Sequence, residues 1–397
     1  MRSTLSLALS RSVHVRKAHQ YKRLPSLCTT GSKHRITSAV PLTSRFHFGT
    51  HPVQHFRAAQ IKSCTGRFNS TVCSSSEDTA GTYVSYIQDT AAVFSPKLLP
   101  ELLNVLQAQG QELVPPSQRA GLHPLVIPLS CDPETKEVTG LLRWASAPDP
   151  DQDLPVVRTT TCGLVLLAQT AAQYVHRAMV DEDLKSGEGA VRAAVGSAAE
   201  ALYPVGDAVS APRPEVYITT KVGKFPDTVE QLAQAHLDKG DEVSSLVTGE
   251  FYQRVVPGWA RSPAHHAMLL KINNRPDEAR DQARVALCSP WWTLAPYTYA
   301  DMAELAGFAD KAVEWVHDTL HAEMAIRDAQ QAGIPVPAGQ DVERSPEQIA
   351  LDDIEAMMNL MSADSNCNWD RIRADLVEKY MQAGMIKVAR FIQAAGN

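Results

Sequence analysis

Acidic residues are absent from the first 76 positions of this 397-residue chain, and this asymmetry separates two segments of opposite character. The leading segment holds 12 of the 38 Lys and Arg residues, so residues 77–397 hold 26 basic and all 44 acidic residues, a net charge of −18. The leading segment is rich in Arg, Ser and Thr, and it lacks the apolar core that a secretory signal needs. This composition predicts an organelle transit peptide over residues 1–76, followed by a folded acidic body.

The composition of the leading segment also bears on its destination. Its Ser and Thr content favours the chloroplast stroma, whereas Arg67 directly before Phe68 leaves the mitochondrial matrix as an alternative. A basic tail that binds RNA or lipid is a second alternative, although such tails are usually richer in Lys. The longest aliphatic run lies near residues 164–168 and falls far short of the ~18 residues that a membrane helix needs. The sequence therefore predicts no membrane span.

The first part of the body, residues 77–168, is expected to contain a helical lead-in and a small antiparallel β-sheet. Leucines at helical spacing precede Gly110, and after the Pro115-Pro116 pair the apolar pattern changes to short runs separated by turn-rich stretches. Pro128 lies inside the first run, which places that strand at a sheet edge or at a bulge. Three or four strands are predicted, at residues 123–131, 138–145, 156–160 and 162–168.

The remainder, residues 169–397, has the pattern of consecutive amphipathic helices joined by short loops. Ser345 followed by Pro346 is a typical helix start. Within residues 267–290, the second predicted helix resembles the second helix of a tetratricopeptide unit, because small residues recur where two helices could approach closely: Ala279, Ala283 and Ala286. The predicted fold class is α+β, mostly α, with the small sheet followed by a tetratricopeptide-like helical array or a generic bundle.

The body lacks the signatures of nucleotide and acyl chemistry. Gly223-Lys224 is followed by Phe225, so no phosphate-binding loop is formed, and neither a dinucleotide fingerprint nor a nucleophile elbow is present. His317 and His321 lie four residues apart on one helical face, which suits zinc, but the glutamate of the zincin motif is missing. We therefore predict a protein without enzymatic activity, cofactor or metal, and keep a metal-dependent enzyme at this His pair as an alternative.

The four cysteines of the body have no metal-binding spacing. They are Cys131, Cys162, Cys288 and Cys367. None forms a C-x-x-C motif, so each is expected to be a small apolar residue. A redox-active pair of Cys131 and Cys162 remains open if two neighbouring strands align these residues.

Aromatic residues gather in one region of a chain that is only 6% aromatic. Tryptophan and tyrosine dominate the energetics of protein interfaces, so this cluster is a candidate protein-binding site. The alternative is that these rings fill the junction between helix pairs. The candidate residues are Phe251, Tyr252, Trp259, Trp291, Trp292 and Tyr297.

Several motifs carry a resemblance to a known family. They are YVSYI at 83–87, LLRW at 141–144, KVG at 221–223, VTGEFY at 247–252 and SPWW at 289–292. With them the chain resembles the plant family called "protein in chloroplast ATPase biogenesis". The resemblance implies a stromal assembly factor for the catalytic head of the chloroplast ATP synthase, which helps the gamma subunit to join. Its expected partners are the gamma subunit or assembly intermediates of the catalytic head.

The charge of the body agrees with a protein partner. A net charge of −18 over residues 77–397 repels nucleic-acid phosphates and can steer a basic protein toward the body. We therefore predict that the protein binds no nucleic acid. An organellar helical-repeat scaffold or RNA-binding protein is the alternative, and it would require a basic groove.

The transit peptide can be tested directly. We expect import into chloroplasts to yield a mature protein that begins near Ser74, because the acid-free stretch ends at Glu77. Mass spectrometry of the N-terminal peptide after import measures this. A mature N-terminus before residue 50, or import into mitochondria alone, would contradict the prediction.

Overall fold

The structure is a computed structural model that describes residues 76–145, 153–336 and 342–394. The predicted transit peptide lies, except for Ser76, outside the described residues. A small antiparallel sheet is followed by a helical array, which confirms the predicted α+β, mostly α fold class. The tetratricopeptide-like character of the array stays a prediction.

Two helices precede the sheet. Helix α1 spans Ser76–Ser85 and continues into a π-helical turn at Tyr86–Thr90, and helix α2 spans Leu99–Ala108. The apolar residues of α2 recur at helical spacing and are buried, so the helix packs one face on the sheet and on the helices beyond it. They are Leu99, Leu102, Leu103, Val105 and Leu106.

The sheet is a five-stranded antiparallel meander in which each strand pairs with its neighbours along the chain. Its strands are β1 Glu112–Leu113, β2 Val126–Cys131, β3 Val138–Leu142, β4 Val156–Thr159 and β5 Leu164–Ala168. The four longer strands fall where the sequence predicts them. Strand β1 was not predicted, because two residues are too few to show a period of two.

Pro128 lies at a β-bulge rather than at a sheet edge. Strand β2 is flanked by β1 and β3, and its register with β3 shifts between Pro128 and Ser130. Gly140 pairs with Pro128, and a Cβ atom at Gly140 would lie 2.5 Å from the Ile127 carbonyl oxygen. The bulge therefore requires a glycine on the facing strand, because any side chain there would clash with backbone.

Helices joined by loops make up the rest of the described chain. None of those in the described residues is both long and apolar enough to cross a membrane. The helix Pro346–Ala363 begins with Ser345 as its N-cap, as predicted, and the Ser345 side chain accepts from the Gln348 backbone N–H. The helices are α3 Ala171–Leu184, α4 Ala190–Val195, α5 Ala199–Leu202, α6 Pro214–Tyr217, α7 Pro226–Leu237, α8 Glu242–Val255, α9 Arg261–Ile272, α10 Pro276–Leu287, α11 Tyr299–Ala306, α12 Val313–Gln331, α13 Pro346–Ala363, α14 Arg373–Gln382 and α15 Ile386–Gln393.

Two main hydrophobic cores hold these elements. The larger core combines the sheet with α2, α3 and the C-terminal helices, so that Leu141 and Phe391 belong to one cluster although 250 positions separate them. The second core joins α9 to α12, and alanines such as Ala264 and Ala283 are fully buried in it. Small side chains there allow α9 and α10 to approach closely. Because the larger core includes both sheet and helices, the predicted division at residue 168 stays a prediction.

Arg119 joins the first and last parts of the body. It lies in the loop before β2 and is fully buried. Its guanidinium donates to the carbonyls of Val126 at 3.0 Å, of Phe391 at 2.6 Å and of Pro124, and it stacks on the Phe391 ring at 3.6 Å. Burial lowers the pKa of Arg119 to about 10, so the group stays charged at neutral pH. Charge-assisted hydrogen bonds to carbonyls compensate for the loss of water.

We expect Arg119→Ala to lower the free energy of unfolding by about 3 kcal/mol or more, since it leaves three buried carbonyls unsatisfied. Urea denaturation followed by circular dichroism measures the loss. Arg280→Ala is the matched control, because Arg280 is half-exposed and pairs with Asp277 at 3.2 Å on a solvated helix face. The control should change stability by less than about 0.5 kcal/mol. Equal stabilities of the two variants would contradict the clamping role of Arg119.

Candidate protein-binding site

The six candidate aromatic residues come from three neighbouring parts of the chain. Helix α8 carries Phe251 and Tyr252, and the loop after it carries Trp259. A 3-10 turn at Trp291–Thr293 supplies both tryptophans of the SPWW motif, and Tyr297 follows in the loop before α11. Four of the six side chains are buried and two, Phe251 and Tyr297, are half-buried.

Trp292 packs into the larger core. Its ring lies 4.5 Å from the His123 ring and 5.5 Å from the Trp144 ring, measured between centroids. His123 also contacts Trp369 edge-on at 4.6 Å, and Trp144 contacts Trp259 edge-on at 5.9 Å. These tilted and edge-to-face arrangements are the geometries that aromatic pairs favour. Five rings from distant parts of the chain therefore form one continuous cluster.

Trp291 enters the second core. Its ring lies 4.5 Å from Tyr299 and 5.7 Å from His317. The indole Nε1–H donates to the Leu287 carbonyl at 2.7 Å, and the Trp291 backbone N–H donates to Asn359 Oδ1 at 2.8 Å. Both N–H groups of this buried residue are thus satisfied, as burial requires. Consecutive tryptophans consequently anchor one short turn in two separate cores.

His123 is a packing residue in this cluster. Burial lowers its pKa well below the ordinary value, and the nearby charges of Arg373 and Arg119 lower it further. The imidazole is therefore neutral at physiological pH and behaves as an aromatic ring between two indoles. A general-base role would require solvent or substrate beside it, and its neighbours are instead tryptophan rings.

A polar network lies beside the buried rings in the middle of the chain. Glu230 of α7 accepts from Arg261 Nε and Nη2, each at 2.7 Å, and from the Tyr252 hydroxyl at 3.1 Å. His265 Nδ1 lies 2.9 Å from the Tyr297 hydroxyl. Burial raises the pKa of Tyr252 well above its usual value, with the Glu230 charge adding to the effect. The bidentate ion pair ties α7 to α9 and holds Tyr252 between them.

His317 and His321 stack on α12 with their ring centroids 4.0 Å apart. His317 contacts the Trp291 ring, as described above, and its Nδ1 lies 3.3 Å from Asp318 Oδ1. Among the residues that the structure describes, no group of three or more His, Cys, Asp and Glu side chains could hold a metal ion. The arrangement of these two histidines is that of ring packing at the edge of the second core.

The geometry gives Tyr252, Trp259, Trp291 and Trp292 a packing role. A partner could reach only the other two candidates, Phe251 and Tyr297, without rearranging the core. The predicted binding role of the six residues as a set stays a prediction.

Sequence reasoning missed the exposed apolar residues. Trp315 of α12 is 47% exposed and meets Phe308 edge-on at 6.0 Å, but it stands alone in the sequence. Two valines of α8 are also largely exposed to solvent, Val243 at 73% and Val247 at 54%. Phe251 follows Val247 at the same interval of four residues. An apolar row at i, i+4 and i+8 was therefore the signal in the sequence that could have indicated this exposed face of α8.

We expect Trp291→Ala and Trp292→Ala each to lower the free energy of unfolding by about 3–5 kcal/mol, the range for large buried aromatics. Trp315→Ala is the matched control and should cost less than about 1 kcal/mol, because about half of this ring is in water. Urea denaturation of the three variants measures the difference. If the variants at 291 and 292 unfold like the parent protein, the packing role is wrong.

Three family models match the chain in order and cover most of the body. They are described as "PAB N-terminal" at residues 81–221, "PAB middle domain" at 226–309 and "PAB C-terminal domain" at 313–395. The aromatic cluster takes residues from each of these segments: Trp144 from the first, Trp292 from the second and Trp369 from the third. The cluster is therefore where the three matched segments meet.

A relative from Arabidopsis thaliana is named "Protein IN CHLOROPLAST ATPASE BIOGENESIS, chloroplastic". It is 36% identical over 345 residues, which cover 86% of this chain and 94% of the relative. No solved structure matches the chain. On the three family models and this relative together, which confirm the resemblance seen in the motifs, the chain belongs to the PAB family.

Proposed function

We propose that this protein is a chloroplast factor that helps to assemble the ATP synthase. The observation that carries the proposal is the identity with the Arabidopsis relative, because it extends over nearly the whole length of both proteins. In finer terms, we propose that the protein acts in the stroma, binds the gamma subunit or assembly intermediates of the catalytic head, and helps the gamma subunit to join. It does so by binding and not by catalysis.

An exposed row on α8 is the surface that we assign to the partner. Val243, Val247 and Phe251 follow one another at intervals of four residues, so their side chains lie along one face of the helix. The first two are mostly exposed and the third is half-buried. Of the six sequence candidates, Phe251 is the one that continues into this row. Neighbouring apolar side chains in water supply the free energy that a docking surface needs.

The acidic charge around this row indicates which kind of partner would bind there. Glu242 and Glu250 flank the valines on α8 and are exposed. The body as a whole, residues 77–397, carries a net charge of −18. A basic, amphipathic protein segment would match both the apolar row and its acidic surroundings. Nucleic acid would be repelled, which disfavours the RNA-binding alternative.

The proposal predicts binding of the full chain to the purified gamma subunit or to a catalytic head that lacks it. Isothermal titration calorimetry at two salt concentrations measures the affinity. Val247→Asp should weaken it at least tenfold, about 1.4 kcal/mol, because the variant places a carboxylate in the apolar contact. Raising the salt concentration should weaken binding further, since the attraction between the charges is screened.

Val209→Asp is the matched control, because Val209 is 59% exposed and lies outside the α8 row. It should bind like the parent protein. If Val247→Asp binds as well as the control, the α8 row is the wrong surface. If the parent binds neither the gamma subunit nor the head, the assembly function is wrong, and binding to RNA instead would favour the helical-repeat alternative.

A further inference from the structure

Two cysteines from distant parts of the chain meet beside the aromatic cluster. Cys162 lies in the turn between β4 and β5, and Cys367 lies in the loop after α13. The Asp364 carbonyl oxygen is shared between them: Cys162 Sγ lies 3.8 Å from it, and the Cys367 backbone N–H donates to it at 3.1 Å. Ser362 Oγ donates to the Cys162 carbonyl at 2.8 Å. These contacts fix the turn and the loop against each other.

The pairing of Cys131 with Cys162, which the sequence left open on the condition that neighbouring strands align the two residues, does not meet that condition. Cys131 ends β2 and pairs with Val138 of β3, whereas Cys162 follows β4. Because β3 lies between β2 and β4, the two residues are not on neighbouring strands. The residue that the fold brings to Cys162 is Cys367, 205 positions later in the chain.

The surroundings favour Cys162 as the reactive thiol. A hydrogen bond with the Cys367 side chain lowers the pKa of Cys162 and outweighs the opposing effect of burial. The same hydrogen bond, together with burial, raises the pKa of Cys367. Burial raises the pKa of Cys288 to about 11 and also raises that of Cys131. Since the thiolate is the nucleophile, Cys162 is the first of the four to attack a disulfide.

We propose that Cys162 and Cys367 are a redox-active pair that closes to an intramolecular disulfide. Both side chains are half-buried, so an oxidant can reach them. The oxidant is a low-molecular-weight disulfide such as oxidised glutathione. The Cys162 thiolate attacks one of its sulfurs, forming a mixed disulfide and releasing one glutathione thiolate. Cys367 then loses its proton to water and attacks the Cys162 sulfur, which releases the second thiolate. Two protein thiols are oxidised while one disulfide is reduced to two thiols.

The disulfide would reinforce the junction between the first and third family segments. The next residue after Cys162, Gly163, lies so close to the Trp292 backbone that a Cβ atom there would be 2.7 Å from the Trp292 carbonyl oxygen. The β4–β5 turn is thus packed on the tryptophan turn already. A covalent bond across such a long chain segment restricts the unfolded state strongly, so oxidation should stabilise the fold.

The experiment maps disulfides in the full 397-residue chain. The protein is equilibrated in buffers of oxidised and reduced glutathione, alkylated at acid pH, digested with trypsin without reduction and measured by mass spectrometry. Cys162 and Cys367 fall on different tryptic peptides, residues 159–177 and 345–371. We expect these two peptides to be joined in oxidising buffer and separate in reducing buffer. The proposal would be overturned if, in oxidising buffer, Cys162 and Cys367 were each alkylated as free thiols, or if Cys162 were joined to a different cysteine or to glutathione only.

Variants and melting provide the controls. Cys162→Ser or Cys367→Ser should abolish the joined peptide in the parent's buffers, whereas Cys131→Ser and Cys288→Ser should retain it. The oxidised parent should melt roughly 5 °C or more above the reduced parent, and the Cys162→Ser and Cys367→Ser variants should show no such difference. Because the mapping on the parent needs no variant, a misfolded variant cannot mask the result. Equal melting of the oxidised and reduced parent would contradict the reinforcing role of the bond.

Discussion

The placement of Trp291 and Trp292 in two different cores is the constraint on which the rest of the body depends. A 3-10 turn points consecutive indoles in different directions, so neither core can shift without moving the other. Close-packed interiors respond to displacement as discrete rearrangements and transmit it to their neighbours. Since Trp144 and Trp369 complete the cluster from the first and third matched segments, this turn sets the geometry of all three.

Buried and partly buried charges also connect separate elements of the body. Arg119 is satisfied by carbonyls and by the Phe391 ring, and Arg261 is satisfied by Glu230. The contacts of Arg119 connect segments that are remote in sequence, and those of Arg261 connect two different helices. A buried cation that loses its partners costs much more than a mispacked methyl group, so these contacts favour one arrangement of the helices over its competitors. Polar contacts and packing therefore specify the same assembly of segments.

In the proposed function, buried and exposed apolar residues have different roles, since the buried ones stabilise the fold and the exposed ones would bind the partner. The five-ring aromatic cluster lies in the interior, whereas the exposed apolar residues are spread over several helices and loops and include the row on α8, Trp315 of α12 and Val209. A rigid interior of this kind suits a protein that presents a fixed surface to an assembly intermediate, because a preorganised surface loses little conformational entropy on binding. The proposed disulfide of Cys162 and Cys367 would add a covalent bond at the same junction that the tryptophans organise.

Local pattern by itself determined the four longer strands, the N-cap at Ser345 and the family motifs, because each depends on residues that are neighbours in the chain. It limited Pro128 to a sheet edge or a bulge, and the pairing of β2 with strands on both sides decided for the bulge. It did not determine β1, whose two residues become a strand only through pairing with β2. Nor did it show that the aromatic candidates are mostly buried, that Arg119 meets Phe391, or that Cys162 meets Cys367. Those contacts join residues that are up to 272 positions apart, and only the packing of the sheet against the C-terminal helices brings them together.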